Sequence, residues 1–311
     1  MKKILGLLVI LFIIVLGWSY FFLPSSETVT ASMTMNAPAT RVYSLLTKQN
    51  EWSKWWPAQS TNQEATSLEY NGNNYRVGAE GVNTIEIVIQ QKDSVTTGRI
   101  LVILKTIDTC DLVWSVQVNP GSNPFKKIKY YFSDDTLKAD MTSILHSLKK
   151  FVEKQENLYG MRIEKAQVTD TVLVATRGNF SHYPSTQEIY ALIEKLNNYI
   201  KTGNVSETNF PMLNIDQADS NLYNVMVAIP TSRSLNGKGN IELKRMIPGK
   251  IIWGEVKGGP YSVEAAIKKL ENFRIDYHLT SPAIPFASLV TDRMKEPDTT
   301  KWITRVYYPV F

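Results

Sequence analysis

Cysteine and histidine are scarce in this chain of 311 residues. Its one cysteine, Cys110, excludes an intramolecular disulfide and a metal site built from several cysteines. The three histidines, His146, His182 and His278, are isolated, and none forms the i, i+4 pair typical of a helical zinc site. No G-x-S-x-G sequence, phosphate-binding loop or dinucleotide fingerprint occurs either. The sequence therefore predicts no catalytic residue, no metal and no cofactor.

An excess of charge is also lacking, since 34 Lys and Arg face 29 Asp and Glu, for a net charge of +5. The basic residues are spread along the chain. Their densest groups are Lys126, Lys127 and Lys129, then Lys149, Lys150 and Lys154. Such groups are usually solvated faces, and no nucleic-acid recognition motif accompanies them. We therefore expect no nucleic-acid partner.

A long apolar run stands at the N-terminus. Residues 4–23, ILGLLVILFIIVLGWSYFFL, are 20 residues without a charge, and a membrane-spanning helix needs about 20. Trp18 and Tyr20 lie near its far end, where amphipathic rings favour the membrane interface. The alternative is a cleaved signal peptide, whose apolar region would be only about 7–15 residues long and followed by a small-x-small site. Val29–Ala31 fits such a site poorly.

The interpretation we favour is an uncleaved anchor in residues 1–24. Lys2 and Lys3 precede the apolar run, and positive residues favour the cytoplasmic side. The chain is then expected to be a single-pass protein of the cell (inner) membrane, with its soluble domains on the extracytoplasmic side. Membrane contact would be made through residues 4–23.

Residues 25–157 are predicted to form one α+β domain. In ETVTASMTMN, Val29, Ala31, Met33 and Met35 alternate with polar residues, which indicates a strand with one buried face. A short helix is predicted after this strand, with Pro in its first turn. Further strands are predicted at Ser67–Val77, Thr84–Gln91, Thr96–Thr106, Asp111–Val118 and Lys127–Phe132, followed by a long helix at about Leu137–Gln155.

This element order, with NAPATRVYSLLTKQNEWSKWWP at Asn36–Pro57 and DMTSILHSLKKFVEK at Asp140–Lys154, resembles the polyketide-cyclase/START-like (SRPBCC) superfamily. The resemblance implies a helix-grip fold, in which a curved sheet holds the long helix and a hydrophobic ligand lies between them. The residues expected to face that space, unless they only pack the core, are Trp55, Trp56, Leu145 and Leu148. The superfamily contains enzymes, lipid carriers and proteins without known activity, so the fold alone does not select a function.

Residues 158–311 contain an internal repeat. IEKLNNY, beginning at Ile193, and IKKLENF, beginning at Ile267, share four of seven residues. Each lies in a predicted helix preceded by two strands and followed by two more, so each copy is a β-β-α-β-β unit. Two copies packed together can bury apolar faces that neither buries alone, and a concave ligand site forms readily at such a seam.

Two phrases of this region resemble the GyrI-like (AraC-type) effector-binding domain. They are GEVKGGPYS at Gly254–Ser262 and TDRMKEPDTTKWITRVYYPV at Thr291–Val310. The resemblance implies a cleft between the two halves that takes small organic molecules, often apolar and cationic. Near it we expect the aromatic residues Trp253, Tyr261 and Phe286, each of which could instead be an ordinary core residue.

One departure from the family pattern concerns charge. Many members carry a Glu, and a Tyr two residues later, where this chain reads PFASLVTD with Ala287 and Leu289. An unpaired positive charge in an apolar cleft is costly. We therefore expect a preference for a neutral or weakly polar ligand, or loss of binding. Glu255 or Glu264 could replace the missing carboxylate, although both are expected to face solvent.

The predicted function is that of a membrane-anchored protein that binds a small hydrophobic ligand. A hydrolase or cyclase acting in one of the two clefts is one alternative, and a non-catalytic structural or interaction protein is another. A transcriptional regulator is disfavoured because no helix-turn-helix pattern precedes the effector-binding domain. The sequence makes no prediction of the oligomeric state.

Overall fold

The structure, a computed structural model, describes residues 4, 6, 10, 14–18, 20, 26–57, 67–92, 94–119, 123–281 and 283–311, with the backbone alone for residue 126 and residues 129–135. Most of the predicted membrane segment, residues 4–23, therefore lies outside the described residues. Among the described residues, no helix is both long and apolar enough to cross a membrane. The chain divides into two compact units, residues 1–154 and 155–311. The division falls slightly N-terminal of the predicted boundary between residues 157 and 158.

The first unit is an antiparallel six-stranded sheet with helices packed on it. Its strands are β1 (Glu27–Met35), β2 (Leu68–Tyr70), β3 (Asn73–Glu80), β4 (Thr84–Gln90), β5 (Val95–Thr106) and β6 (Thr109–Val118), in the order β1-β6-β5-β4-β3-β2. Its helices are α1 (Ala39–Thr47), a 3-10 helix (Gln49–Lys54) and α2 (Pro124–Val152). Buried and polar residues alternate along β1 and β6, so one face of the sheet forms the core beneath α2.

The long helix begins earlier than the sequence pattern predicts. The predicted strand Lys127–Phe132 is wrong, because this segment belongs to α2. In the sequence, Ile128, Tyr130 and Phe132 occupy every second position, which is typical of a strand. The residues just before this segment, however, begin a helix. The side-chain oxygen of Asn123 accepts a hydrogen bond from the Phe125 N–H at 2.9 Å. Pro124 then occupies the first turn, where its missing N–H is not needed.

The second unit contains both predicted copies of the β-β-α-β-β unit. After a short helix α3 (Gln155–Tyr159), the first copy consists of β7 (Glu164–Gln167), β8 (Val172–Phe180), α4 (Thr186–Thr202), β9 (Met212–Asp219) and β10 (Leu222–Pro230). The second consists of β11 (Ile241–Arg245), β12 (Lys250–Lys257), α5 (Pro260–Asp276), β13 (Phe286–Leu289) and β14 (Ile303–Val310), with a 3-10 helix at Thr299–Lys301. The chain is therefore an α+β protein.

The two copies are interlocked in one eight-stranded sheet of order β11-β8-β10-β9-β13-β14-β12-β7. This order is unchanged when the copies are exchanged and the list is reversed, as a pseudo-two-fold relation requires. The first strand of each copy pairs inside the other copy, β7 with β12 and β11 with β8. Strands β9 and β13 join the halves at the centre. Neither half is therefore a complete sheet without the other.

Each repeated helix covers its own half of this sheet. The buried residues of α4 are Ile189, Ile193, Leu196 and Ile200, and they pack on β8 and β10. The apolar residues buried by α5 are Ala266, Leu270 and Phe273, and this helix packs on β12 and β14. The predicted capping box of α4 is confirmed, because Ser185 and Glu188 each accept a hydrogen bond from the other's backbone N–H.

Candidate ligand-binding cleft

Among the described residues of the first unit, the space between the sheet and α2 is almost completely filled. Its cavity has a volume of about 10 Å³, which is room for about one water molecule. The residues that line it are Leu46, Trp52, Trp55, Trp56, Ile87, Ile100, Trp114, Ile144, Leu145 and Leu148. Trp55, Trp56, Leu145 and Leu148 thus face the space between sheet and helix that the sequence assigns to them. That space is occupied by their own side chains.

A cluster of indole rings fills this interior. The ring of Trp52 stacks on Trp56 with centroids 5.3 Å apart, and Trp55 lies 5.4 Å from Trp52 at a tilt. Hydrogen bonds fix two of the rings, because the Trp52 indole N–H donates to the Leu46 carbonyl at 2.9 Å and that of Trp56 donates to Glu69 at 2.8 Å. Large rings held in fixed orientations cannot leave the cavity without disrupting the core.

Four polar atoms in this interior are buried without a hydrogen-bond partner. They are Trp55 Nε1, Tyr75 Oη, Trp114 Nε1 and Asp140 Oδ2. Asp140 keeps one partner, since its Oδ1 accepts from Asn71 at 2.6 Å. Burial raises the pKa of Asp140 and, together with the nearby Asp140 charge, also that of Tyr75. Buried polar groups without a partner can indicate a functional site. The cavity here is too small for an organic molecule to reach them.

The second unit, in contrast, contains an open cleft of about 1130 Å³. Ligand pockets in proteins usually span about 300–1,000 Å³. The first copy contributes residues of β8, β9 and β10 to its walls, and the second copy contributes the N-terminal half of α5 and the segment from Ile284 to Arg293. We call this space the second-unit cleft. It has a size suited to a small organic molecule.

The start of α5 places one wall of the second-unit cleft. Gly258 ends β12 with φ +127°, a backbone conformation that favours glycine, and its N–H donates to the Trp302 carbonyl at 2.9 Å. Gly259 is then the N-cap and Pro260 occupies the first helical turn. This turn directs Val263, Glu264 and Ile267 of α5 toward the cleft. The GEVKGGPYS phrase therefore has a structural role beside the cleft.

Two of the residues singled out from the sequence line the second-unit cleft. Ala287 is 4% exposed and lies on β13. Tyr261 is 88% exposed and stands at the first turn of α5. The side chain of Ala287 is a single methyl group, so it brings no charge and no hydrogen-bonding group to this part of the wall.

The other three aromatic or apolar candidates lie elsewhere. Phe286 stacks on Tyr307 with ring centroids 5.0 Å apart. Trp253 stacks on the same Tyr307 ring, with centroids 6.0 Å apart. These three are cross-strand neighbours on β13, β14 and β12. Successive residues of a strand point to opposite faces, so Phe286 points away from the face that carries Ala287. Leu289 shares the face of Ala287 but is buried in the core beneath α4.

The carboxylates of the second-unit cleft are on exposed residues. Asp216 and Glu264 belong to its lining, and both are solvent-exposed, as the sequence predicts for Glu264. Glu255 lies outside the lining and pairs with Arg305 at 3.2 Å. Among the described residues of the lining there is therefore no buried carboxylate. No group of three or more His, Cys, Asp or Glu able to hold a metal ion occurs among the residues that the structure describes.

Arg293 is the one buried charged residue of the described lining, and it was not predicted from the sequence. It is 8% exposed, and its Nη2 donates to Thr304 Oγ1 at 2.9 Å. Its guanidinium lies 4.6 Å from the ring centroid of Trp302. Burial lowers the pKa of Arg293 from its ordinary value. The closing phrase of the chain contains this arginine, but a charged residue in a polar-looking loop gives no signal of burial.

Comparisons with known proteins give matches to solved structures only. No family model and no curated protein sequence matches the chain. The C-terminal domain of EcmrR is similar at 16% identity, with 49% of this chain and 98% of that one covered and a TM-score of 0.42. A START superfamily protein from Mycobacterium smegmatis is 18% identical, with 40% and 97% covered and a TM-score of 0.30.

The Zhui aromatase/cyclase from Streptomyces sp. R1128 is also similar, at 12% identity, with 42% of this chain and 95% of that one covered and a TM-score of 0.31. Structures of both kinds that the sequence resembles are thus among those similar to this chain. At these identities and TM-scores the likeness says nothing about function.

Proposed function

We propose that the protein is a membrane-anchored binding protein for a small organic molecule, and that the ligand site is the second-unit cleft. The observation that carries the proposal is the open space of about 1130 Å³ bordered by Ala287. In the first unit, by contrast, tryptophan rings fill the space between sheet and helix and leave about 10 Å³. The two units therefore have different roles, a closed fold and a ligand-accepting fold.

The lining of the second-unit cleft supports a partly apolar ligand. Val263, Ile267 and Ile284 supply aliphatic surface, and tyrosine hydroxyls and amide side chains supply a few polar contacts. Such a mixture is typical of small-molecule sites, where apolar surface provides affinity and polar groups fix the orientation. A cation would find no buried carboxylate among the described lining residues, so a ligand without positive charge is favoured.

The membrane part of the proposal rests on residues 4–23, 20 residues without a charge. The N-terminus is proposed to remain in the cytoplasm because of Lys2 and Lys3. Washing membranes from expressing cells at alkaline pH tests this part. The full chain should stay in the membrane pellet, whereas its release as a soluble protein would contradict an anchor.

A neutral probe tests the ligand site. We expect 1-naphthylacetamide to bind the full chain in titration calorimetry, and Ile267→Trp to weaken this binding at least about tenfold, because an indole at this position occupies the second-unit cleft. Ala265→Trp is the matched control, since Ala265 is an exposed residue of the same helix outside the lining. It should leave binding within about twofold of the original value.

Two outcomes would contradict the ligand site. One is the absence of any heat of binding, both for this neutral probe and for probes that carry a negative or a positive charge on the same ring system. The other is equal binding by the Ile267→Trp and Ala265→Trp variants, which would place the bound probe outside the second-unit cleft.

A further inference from the structure

Arg293 is held in a fixed position at the wall of the second-unit cleft. Its backbone N–H donates to the Tyr190 hydroxyl at 2.7 Å, and its Nη2 donates to Thr304 Oγ1 at 2.9 Å. The guanidinium also lies over the ring of Trp302. The contact from α4 fixes the backbone at Arg293, and the contacts from β14 and the segment before it hold the guanidinium, so the side chain is preorganised.

Most of the hydrogen-bonding capacity of this guanidinium is unused. An arginine side chain carries about five N–H donors and stays protonated in proteins. Among the described residues, the Thr304 hydroxyl is the one side-chain acceptor for Arg293, and its buried Nε has no partner. The adjacent carboxylate of Asp292 does not approach it, because Asp292 pairs with Lys295 at 3.0 Å and also accepts from the Met294 N–H.

The positive charge of Arg293 is also uncompensated. Within the described part of the chain no carboxylate lies within ion-pair distance of it, although Glu264 lines the same cleft from α5. Burying a cation without a partner is costly, because the interior screens charge weakly and provides no hydration. The charges of Glu264, Asp216 and Arg177 are on exposed residues and are screened by solvent. The one buried charge in the described lining of the cleft is therefore the positive charge of Arg293.

We infer that the second-unit cleft selects organic molecules that carry an anionic group, such as a carboxylate, sulfonate or phosphate, and that Arg293 binds the oxygens of that group. This inference rests on the proposed function, since it names the class of ligand for the same site. A guanidinium donates through its terminal nitrogens to the oxygens of such an anion, and its planar geometry orients these hydrogen bonds. The aliphatic residues of the lining would contact the apolar remainder of the ligand.

A series of three probes with one ring system tests the inference on the unmodified full chain. The probes are 1-naphthylacetate, 1-naphthylacetamide and 2-(1-naphthyl)ethylammonium, which carry a negative charge, no charge and a positive charge. In titration calorimetry at neutral pH, we expect the acetate to bind at least about tenfold more tightly than the amide, as for hydrogen bonds to a charged group. The ammonium should bind most weakly. Equal binding of acetate and amide would overturn the inference.

Two substitutions identify the responsible cation. Arg293→Met keeps a chain of similar length without donors, and it should remove the preference for the acetate while the amide still binds. Arg177→Met is the matched control, because Arg177 lines the same cleft but is exposed. It should retain the preference. Loss of the preference in Arg177→Met would overturn the assignment to Arg293, and this result does not depend on the folding of Arg293→Met.

Glu264→Gln tests whether the chain supplies its own counter-ion. If Glu264 neutralised Arg293 in solution, the original chain would show no preference and the variant would gain one, which would contradict the inference. The proposed function fails separately. It fails if no probe binds, or if Ile267→Trp does not weaken the binding of any probe. If the amide binds in the cleft and the acetate binds no better, only the inference about the anion fails.

Discussion

The interior of the first unit is filled by side chains, whereas that of the second unit contains an open cleft. In the first, four tryptophans occupy the space between sheet and long helix and leave about 10 Å³. In the second, a cleft of about 1130 Å³ stays open. The closed interior is lined by apolar residues alone, whereas the open cleft combines apolar with polar and charged residues, so a wholly apolar lining does not by itself make an interior able to accept a ligand. The volume and orientation of the side chains decide it.

The same contrast exists between the two repeated helices of the second unit. Leu196 of α4 and Leu270 of α5 occupy equivalent positions of the repeat, and both are 0% exposed. One turn earlier the copies differ, because Ile193 is buried in the core whereas Ile267 lines the second-unit cleft. The shared sequence pattern therefore preserves the helix and its buried leucine in both copies. Only in the second copy does the position one turn earlier, Ile267, border the second-unit cleft.

The largest effect is expected from opening the closed interior. Trp52→Ala should lower the free energy of unfolding of the first unit by about 3–5 kcal/mol, because a buried indole is lost and a cavity remains. Urea denaturation with hydrogen–deuterium exchange of peptides from each unit measures this loss separately for the two units. Tyr261→Ala, at an 88% exposed position, is the control and should stay within about 0.5 kcal/mol. A first unit unaffected by Trp52→Ala would show that its interior is not close-packed.

A substitution at equivalent positions of the repeat sharpens the second contrast. Ile193→Ala should cost about 2–5 kcal/mol, the usual range for a buried isoleucine. Ile267→Ala should cost about 1 kcal/mol or less, because its side chain is half-buried and already borders open space. The pair is compared by urea denaturation under identical conditions. Equal losses for the two variants would mean that the second-unit cleft is closed in solution.

Local patterns in the sequence identified a large part of this fold. The alternation of Val29, Ala31 and Met35 predicted β1, and the Ser185–Glu188 signature predicted the start of α4. These features depend on residues close together in the chain, so the sequence contains them directly. The internal repeat likewise predicted two equivalent β-β-α-β-β units, and both are present.

Features that depend on distant parts of the chain were not accessible in this way. The exchange of β7 and β11 between the copies joins segments far apart in sequence, and no local pattern encodes it. The filling of the first interior depends on the packing of whole indole rings. The burial of Arg293 arises only when Tyr190, Trp302 and Thr304 come together around it. The residue most informative about charge in the cleft was therefore the one that the sequence did not indicate.

The smallest expected effect concerns how the two repeated helices begin. Ser185 caps α4 with a side-chain oxygen, whereas Gly259 at the equivalent position of α5 has no side chain to do so. Ser185→Ala should therefore cost about 1 kcal/mol, and Gly259→Ser should gain a few tenths of a kcal/mol. A Cβ at residue 259 would lie 3.8 Å from Thr299, an ordinary contact, so the new hydroxyl can be accommodated. Urea denaturation of both variants measures these changes. A loss of stability in Gly259→Ser would indicate that this glycine is required for the turn into the cleft rather than being a missing cap.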